Sequence, residues 1–197
     1  MSIRKISLTA LIAISLGAAQ SSFAGVIDVS SIRITSAIND YIQVSEFLAF
    51  QIGTGTNLAL ATNGGTASAP NSYPGSAGPG AAIDGLYPTD YPAIYHSLGF
   101  GAGNYLDIFL ASPSTLASIA IYGRNSGPFE VNCCRQRDIF NVTLLDSVGT
   151  QLWTGVLDAR TIPNGGPATA AVPEPGTLAL LGLGLAGLGL ARRKRAA

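Results

Sequence analysis

An alternation of period two recurs along residues 25–157, with no convincing amphipathic helix beside it, and this pattern constrains the fold more than any other feature. Successive side chains of a strand point to opposite faces, so apolar residues at every second position mark a strand with one face buried. Ile32-Arg33-Ile34 alternates in this way. Ile42, Val44, Leu48 and Phe50 fall on one face of a second strand. Further strands are marked by Leu106, Ile108 and Leu110, by Ile119 and Ile121, by Phe140, Val142 and Leu144, and by Leu152 with Val156. Clusters of Gly, Pro and Asn separate them. Short strands between turn signals predict an all-β sandwich or barrel. Asn63 to Ala82 reads as a loop; its 20 residues exceed the usual connection, so it is functional or wrapped over the strands. Asp158 to Ala171 is rich in Pro, Gly and Ala and reads as a linker.

The two ends of the chain follow a different logic. Arg4 and Lys5 precede an apolar run from Leu8 to Ala19, and Ser22-Phe23-Ala24 is a small-x-small cleavage site. That order predicts a secretory signal peptide over residues 1–24 and a mature chain beginning near Gly25. At the other end stand Val172-Pro173-Glu174-Pro175-Gly176, an apolar run from Thr177 to Ala191, and Arg192-Arg193-Lys194-Arg195. The run of 15 residues is short for a permanent span, which needs roughly 20. The basic cluster should stay cytoplasmic. Four segments result: 1–24 signal peptide, 25–157 β domain, 158–171 linker and 172–197 sorting and anchor segment with one hydrophobic helix.

In order and spacing, Val172 to Arg195 resembles the bacterial PEP-CTERM sorting signal. The resemblance implies a Gram-negative type of envelope. It also implies processing near Pro173, Glu174 and Pro175 by an exosortase-type membrane protease. The protein would be held transiently at the inner membrane and then reach the cell surface or an extracellular matrix rich in exopolysaccharide.

Composition bounds the partners of the body. Residues 25–171 hold five arginines (Arg33, Arg124, Arg135, Arg137, Arg160), no lysine and ten acids, a net charge of −5. Nucleic acid is excluded as a partner, because phosphate binding depends on basic surface.

The only cysteines, Cys133 and Cys134, are neighbours. In an oxidising compartment an even count points to a disulfide. Adjacent Cα atoms lie about 3.8 Å apart, closer than the roughly 4.4 to 6.8 Å of ordinary disulfides. A bond between them would be a strained, rigid, apolar knob with only local meaning; two thiols and an intermolecular bridge are the alternatives. Arg124, Arg135 and Arg137 cluster around the pair. Arginines around a rigid apolar patch suit a polar ligand with one apolar face, and a sugar is such a ligand.

These residues carry a second resemblance. Asn57-Leu58-Ala59-Leu60-Ala61, Ala82-Ile83-Asp84-Gly85, Tyr95-His96-Ser97, Tyr105-Leu106-Asp107-Ile108, Ile119-Ala120-Ile121-Tyr122-Gly123-Arg124 and Cys133-Cys134-Arg135-Gln136-Arg137 are similar to the fucolectin-related branch of discoidin-like domains. The resemblance implies a galactose-binding-like jelly-roll β-sandwich. It implies a sugar site of His96, Arg124, Arg137 and a Cys133–Cys134 disulfide packing on the sugar. It also implies a structural calcium held by Glu46 and Asp84, with backbone oxygens of Ser45, Ala81 and Leu86 completing a mixed shell of the kind calcium takes. Two departures stand out. Asn125 to Asn132 form an insertion before the cysteines, with Asn132 where the family often has Asp. The segment Ile32 to Phe50 resembles the family's closing strands but lies first, as in a circular permutation.

The sequence lacks the serine-elbow, zincin and phosphate-loop motifs, and its single histidine limits acid–base catalysis. Binding rather than catalysis is therefore expected. One expectation is an exported glycan-binding domain; the other is a scaffold of the exopolysaccharide matrix that binds no sugar.

Overall fold

A computed structural model describes residues 25–124, 134–160 and 167–172. The expected signal peptide, the Asn125–Asn132 insertion, Cys133, the sorting residues Pro173, Glu174 and Pro175, and the hydrophobic helix lie outside the described residues. Within them the chain is all-β, with nine strands, three short 3-10 turns and no α-helix. The strands are β1 (Val26–Ser36), β2 (Gln43–Val44), β3 (Glu46–Gln51), β4 (Thr66–Ser68), β5 (Tyr95–His96), β6 (Leu106–Tyr122), β7 (Ile139–Leu145), β8 (Gln151–Asp158) and β9 (Ala168–Ala171).

The alternation in Ile32-Arg33-Ile34 is realised in β1, which lies between β6 and β7. Ile32 and Ile34 are fully buried. Arg33 faces outward and forks onto Asp107, its direct cross-strand partner on β6, with bonds of 2.8 and 2.7 Å. Its guanidinium also lies 4.2 Å from the centre of the Tyr105 ring. Earlier in β1 the buried residues Val26, Val29 and Ile32 are spaced by three. Register shifts between Val26 and Val29, and between Val29 and Ser31, absorb the extra residues.

β6 is one strand where two were expected, since Leu106, Ile108, Ile119 and Ile121 all belong to it. Its first half pairs with β1 and β4, and its second half with β3 and β9. The β4-to-β3 exchange spans Pro113, which has no N–H to give to a ladder, whereas β1 stays paired as far as Leu116 before β9 takes over at Ser118. The result is two strand groups sharing β6: β4-β6-β1-β7-β8 and β3-β6-β9. One apolar cluster joins both groups, with Phe47, Tyr95 and Phe140 as its largest fully buried members.

Four other expectations are corrected. Ile42 to Phe50 is two strands, broken at Ser45: β2 pairs with β5, whereas β3 pairs with β6. The segment Asn63 to Ala82 contains β4 and most of a 3-10 turn over Pro79–Ile83, whose Ala82 and Ile83 enter the core. In β8, Val156 is exposed and Leu157 buried. The Trp153 ring takes the space beside Gly155, where a Cβ would come within 2.5 Å of it. The stretch expected to be a linker ends in β9, which pairs with Ser118–Ile121 of β6, and Val172 beyond it is buried.

Candidate ligand-binding site

A cavity of ≈ 290 Å³ is lined by Tyr41, Tyr73, Tyr91, His96, Arg124, Cys134 and Arg137. It brings together four of the five residues expected to meet a sugar; the fifth, Cys133, lies outside the described residues. Several elements converge to build it. His96 is carried by β5, opposite Gln43 of β2. Arg124 follows the end of β6. Cys134 precedes and Arg137 ends the 3-10 turn Arg135–Arg137, closed by the Arg137 N–H donating to the Cys134 carbonyl at 2.9 Å. Cys134 is disulfide-bonded and has a φ of 82°, in the left-handed region. Gly123 allows the approach of Asp138, whose carboxyl would lie 2.3 Å from a Cβ at that position.

Both arginines are held by the same local device. Asp40-Tyr41 and Asp90-Tyr91 are the two Asp-Tyr dipeptides of the sequence. In each, the aspartate accepts the following tyrosine's N–H, at 2.7 and 2.6 Å. Asp90 accepts from Arg124 Nε, and Arg124 lies 5.9 Å from the Tyr91 ring centre. Asp40 lies 3.2 Å from Arg137 Nε, and Arg137 lies 5.1 Å from the Tyr41 ring centre. Arg124 Nη1 also donates to Cys134 Sγ at 3.1 Å. Asp90 accepts a hydrogen bond from Arg124, whereas Arg137 Nε is paired with Asp40 by charge and has no hydrogen-bond partner; the tyrosines supply cation–π faces.

His96 is walled by aromatic rings: Tyr73 at 4.7 Å, Tyr41 at 5.1 Å and Tyr91 at 6.4 Å between centroids. Its Nδ1 is 2.7 Å from the Ser97 carbonyl, so Nδ1 carries the proton and donates. The neutral ring then leaves Nε2 as an acceptor. Burial pushes the pKa of His96 below 6.5, and the positive charges of Arg124 and Arg137 push it further. The cavity therefore combines arginine donors, an imidazole acceptor, aromatic walls and a disulfide sulfur. Among the described residues, Asp90 and Asp40 face Arg124 and Arg137 one to one.

The expected calcium residues gather elsewhere. Glu46 is fully buried, at the start of β3 opposite Tyr122. Its Oε2 accepts the Gly85 N–H at 3.1 Å, whereas its Oε1 is buried without a hydrogen-bond partner. Burial raises its pKa to about 7, and the negative charge of nearby Asp84 adds to the rise. Asp84 accepts from the Leu86 N–H at 2.8 Å. Ser45 and Ala81 are buried, whereas the Leu86 side chain is exposed. Among the described residues no group of three or more His, Cys, Asp or Glu side chains could hold a metal. A cation here would draw on two carboxylates and otherwise on carbonyl or water oxygens. The orphaned oxygen of Glu46 fits that demand.

The sequence reading missed Tyr41, Tyr73, Tyr91, Asp40 and Asp90. The repeated Asp-Tyr dipeptide was a local signal for four of them, and Tyr73 had none.

Residues 171–195 match the family described as PEP-CTERM protein-sorting motif. The chain carries a PEP-CTERM sorting motif. This marks an exported protein sorted by exosortase, a membrane protein, with anchoring at the membrane before surface or extracellular release. The PEP-CTERM match begins on Ala171, the last residue of β9, so the sorting segment follows the folded domain without a spacer. No curated protein and no solved structure matches the chain.

Proposed function

We propose that this exported protein is a glycan-binding domain that takes a neutral sugar in the His96 cavity. The observation that carries this reading is the meeting of His96, Arg124, Arg137 and Cys134 with three tyrosines in one small cavity. A pyranose offers hydroxyls to the arginines and the imidazole, and its C–H face suits tyrosine rings and a disulfide. The volume lies at the small end of ligand pockets, which start at roughly 300 Å³, and matches one ring rather than a chain. Balanced charge favours a neutral sugar over a uronate. The resemblance to fucolectin-related domains makes fucose the first candidate, and the groups of five and three strands sharing β6 are compatible with the galactose-binding-like jelly roll it implies.

Polarity of the strands separates Arg124 from the chain's exit. β9 runs antiparallel to β6, and the Val172 N–H donates to the Ala117 carbonyl, so the chain leaves toward its anchor there. Arg124 lies seven residues further along, past the opposite end of that pairing. At roughly 3.3 Å per residue, Arg124 sits about 20 Å along the chain direction of β6 from the point where Val172 pairs.

Calcium would be held by Glu46 and Asp84 with oxygens of Ser45, Ala81 and Leu86, and would neutralise a carboxylate that burial otherwise protonates.

Calorimetry with monosaccharides tests the reading. Saturable binding that is weakened by Arg137→Ala and by reduction of the disulfide is expected. A folded protein that binds no sugar overturns it. So does full restoration of matrix cohesion by Arg124 and Arg137 variants in cells lacking the gene, which is the outcome a pure scaffold requires.

A further inference from the structure

The cavity has room for about one sugar ring, so the rest of any glycan must leave across its rim. One side of that rim is apolar. Phe100 is 58% exposed and Leu98 48%, both on the loop that follows His96. Exposed apolar side chains on a loose glycine-rich loop would fold inward. This loop is braced instead: Ser97 Oγ donates to the Gly99 carbonyl at 2.7 Å, Asn104 Nδ2 to the Phe100 carbonyl at 2.9 Å, and the Asn104 N–H to the Gly101 carbonyl at 3.0 Å. Phe100 meets Tyr41 edge-on, with centroids 5.6 Å apart and planes at 79°. Tyr41 is itself a wall of the cavity. Tyr41 thus joins the cavity wall to the exposed Phe100 ring by direct ring contact.

We propose that Phe100 and Leu98 form a second sugar subsite, which takes the ring adjacent to the one in the His96 cavity. The proposal rests on the sugar-binding reading above and deepens it: the ligand is an oligosaccharide of neutral rings, and a lone monosaccharide fills only half the site. A protein partner is a poorer occupant, since a stable interface needs roughly 800 Å² from each side and two side chains on a glycine-rich loop offer far less. A pyranose C–H face matches a single exposed phenyl ring in size.

The test is calorimetry on the full chain in a detergent without sugar headgroups, using methyl α-L-fucoside and 2′-fucosyllactose. The wild type binds the trisaccharide more tightly than the fucoside. Phe100→Ala lowers affinity for the trisaccharide roughly tenfold and leaves that for the fucoside unchanged. Leu98→Ser acts in the same direction and less. A Phe100→Ala variant that loses neither affinity, or both equally, overturns the subsite while the cavity reading stands. A wild type that binds neither sugar overturns both.

Discussion

Near the end of β6 two polar clusters lie close in sequence, one balanced and one not. Around His96 each arginine has its own aspartate, supplied by the same Asp-Tyr device. At Glu46, opposite Tyr122, a buried carboxylate has a second carboxylate beside it and one oxygen without a partner. A buried charge must be paired, neutralised by a proton, or bound to an ion. The first cluster has solved that problem internally, so what it offers a ligand is hydrogen bonding and apolar surface. The second has not, and its demand is for a proton or a cation.

Removing an arginine should have the largest effect. Arg124→Ala deletes a charged donor from the cavity, and charge-assisted hydrogen bonds contribute roughly 1.5–3 kcal/mol each. Sugar affinity should fall by about a hundredfold, measured by calorimetry. Asp90→Asn sharpens the comparison: it leaves Arg124 unbalanced, and glucuronate should then gain on neutral sugars in competition. An unchanged preference would mean that charge balance does not set selectivity.

The unbalanced cluster predicts a pH response that calcium abolishes. With chelator present, the raised pKa of Glu46 means that the folded state keeps a proton which the unfolded state releases above about 4.5. That contribution to stability is full below about 4.5 and is lost as pH rises toward about 7. Calcium keeps the folded carboxylate ionised, so with calcium present that loss should disappear and the melting temperature should stay flat over the same window. Glu46→Gln should flatten the chelator curve and remove the difference between the two. Identical melting curves with calcium and with chelator would remove the metal from the proposal.

How far these clusters were legible in the sequence depends on whether their residues are local. Period two gave β1 and β7 directly: Ile32, Ile34, Phe140, Val142 and Leu144 are all fully buried. It misread β6 because Pro113 looks like a strand end, whereas here it marks an exchange of partners within one strand. It misread β8 because Trp153 folds over Gly155 and the buried residue is Leu157. β9 was hidden in a Gly/Pro/Ala-rich stretch, since three of its four residues are alanine and its order comes from β6. In the cavity, His96, Arg124, Arg137 and Cys134 were legible through their motifs. Tyr73 and the two Asp-Tyr pairs were not, because the pairs sit far away in sequence from the arginines they meet, and Tyr73 from His96.

A smaller effect separates the two clusters physically. Gly123 stands between Tyr122, which pairs with Glu46, and Arg124, which lines the cavity. Gly123→Ala would drive a Cβ to 2.3 Å from the Asp138 carboxyl and displace Arg124. Sugar affinity should fall by about tenfold, whereas the melting shift produced by calcium should persist. Loss of both together would show that the clusters are coupled through the end of β6.

The smallest expected effect tests the tautomer of His96. Burial and two neighbouring arginines hold its pKa below 6.5, so the ring is neutral at pH 7 and above. Its Nδ1–H is committed to the Ser97 carbonyl, and Nε2 is the only acceptor the ring has. Protonation removes that acceptor and sets a third positive charge beside Arg124 and Arg137. Affinity for a neutral sugar should therefore be flat from pH 8 to pH 7 and decline as the pH falls well below 6.5. His96→Gln keeps an acceptor without titrating, so it should bind more weakly at pH 7 yet show no such decline. A decline that persists in His96→Gln would assign the acid sensitivity to another group, and Glu46 is the first to examine because it gains its proton below about pH 7.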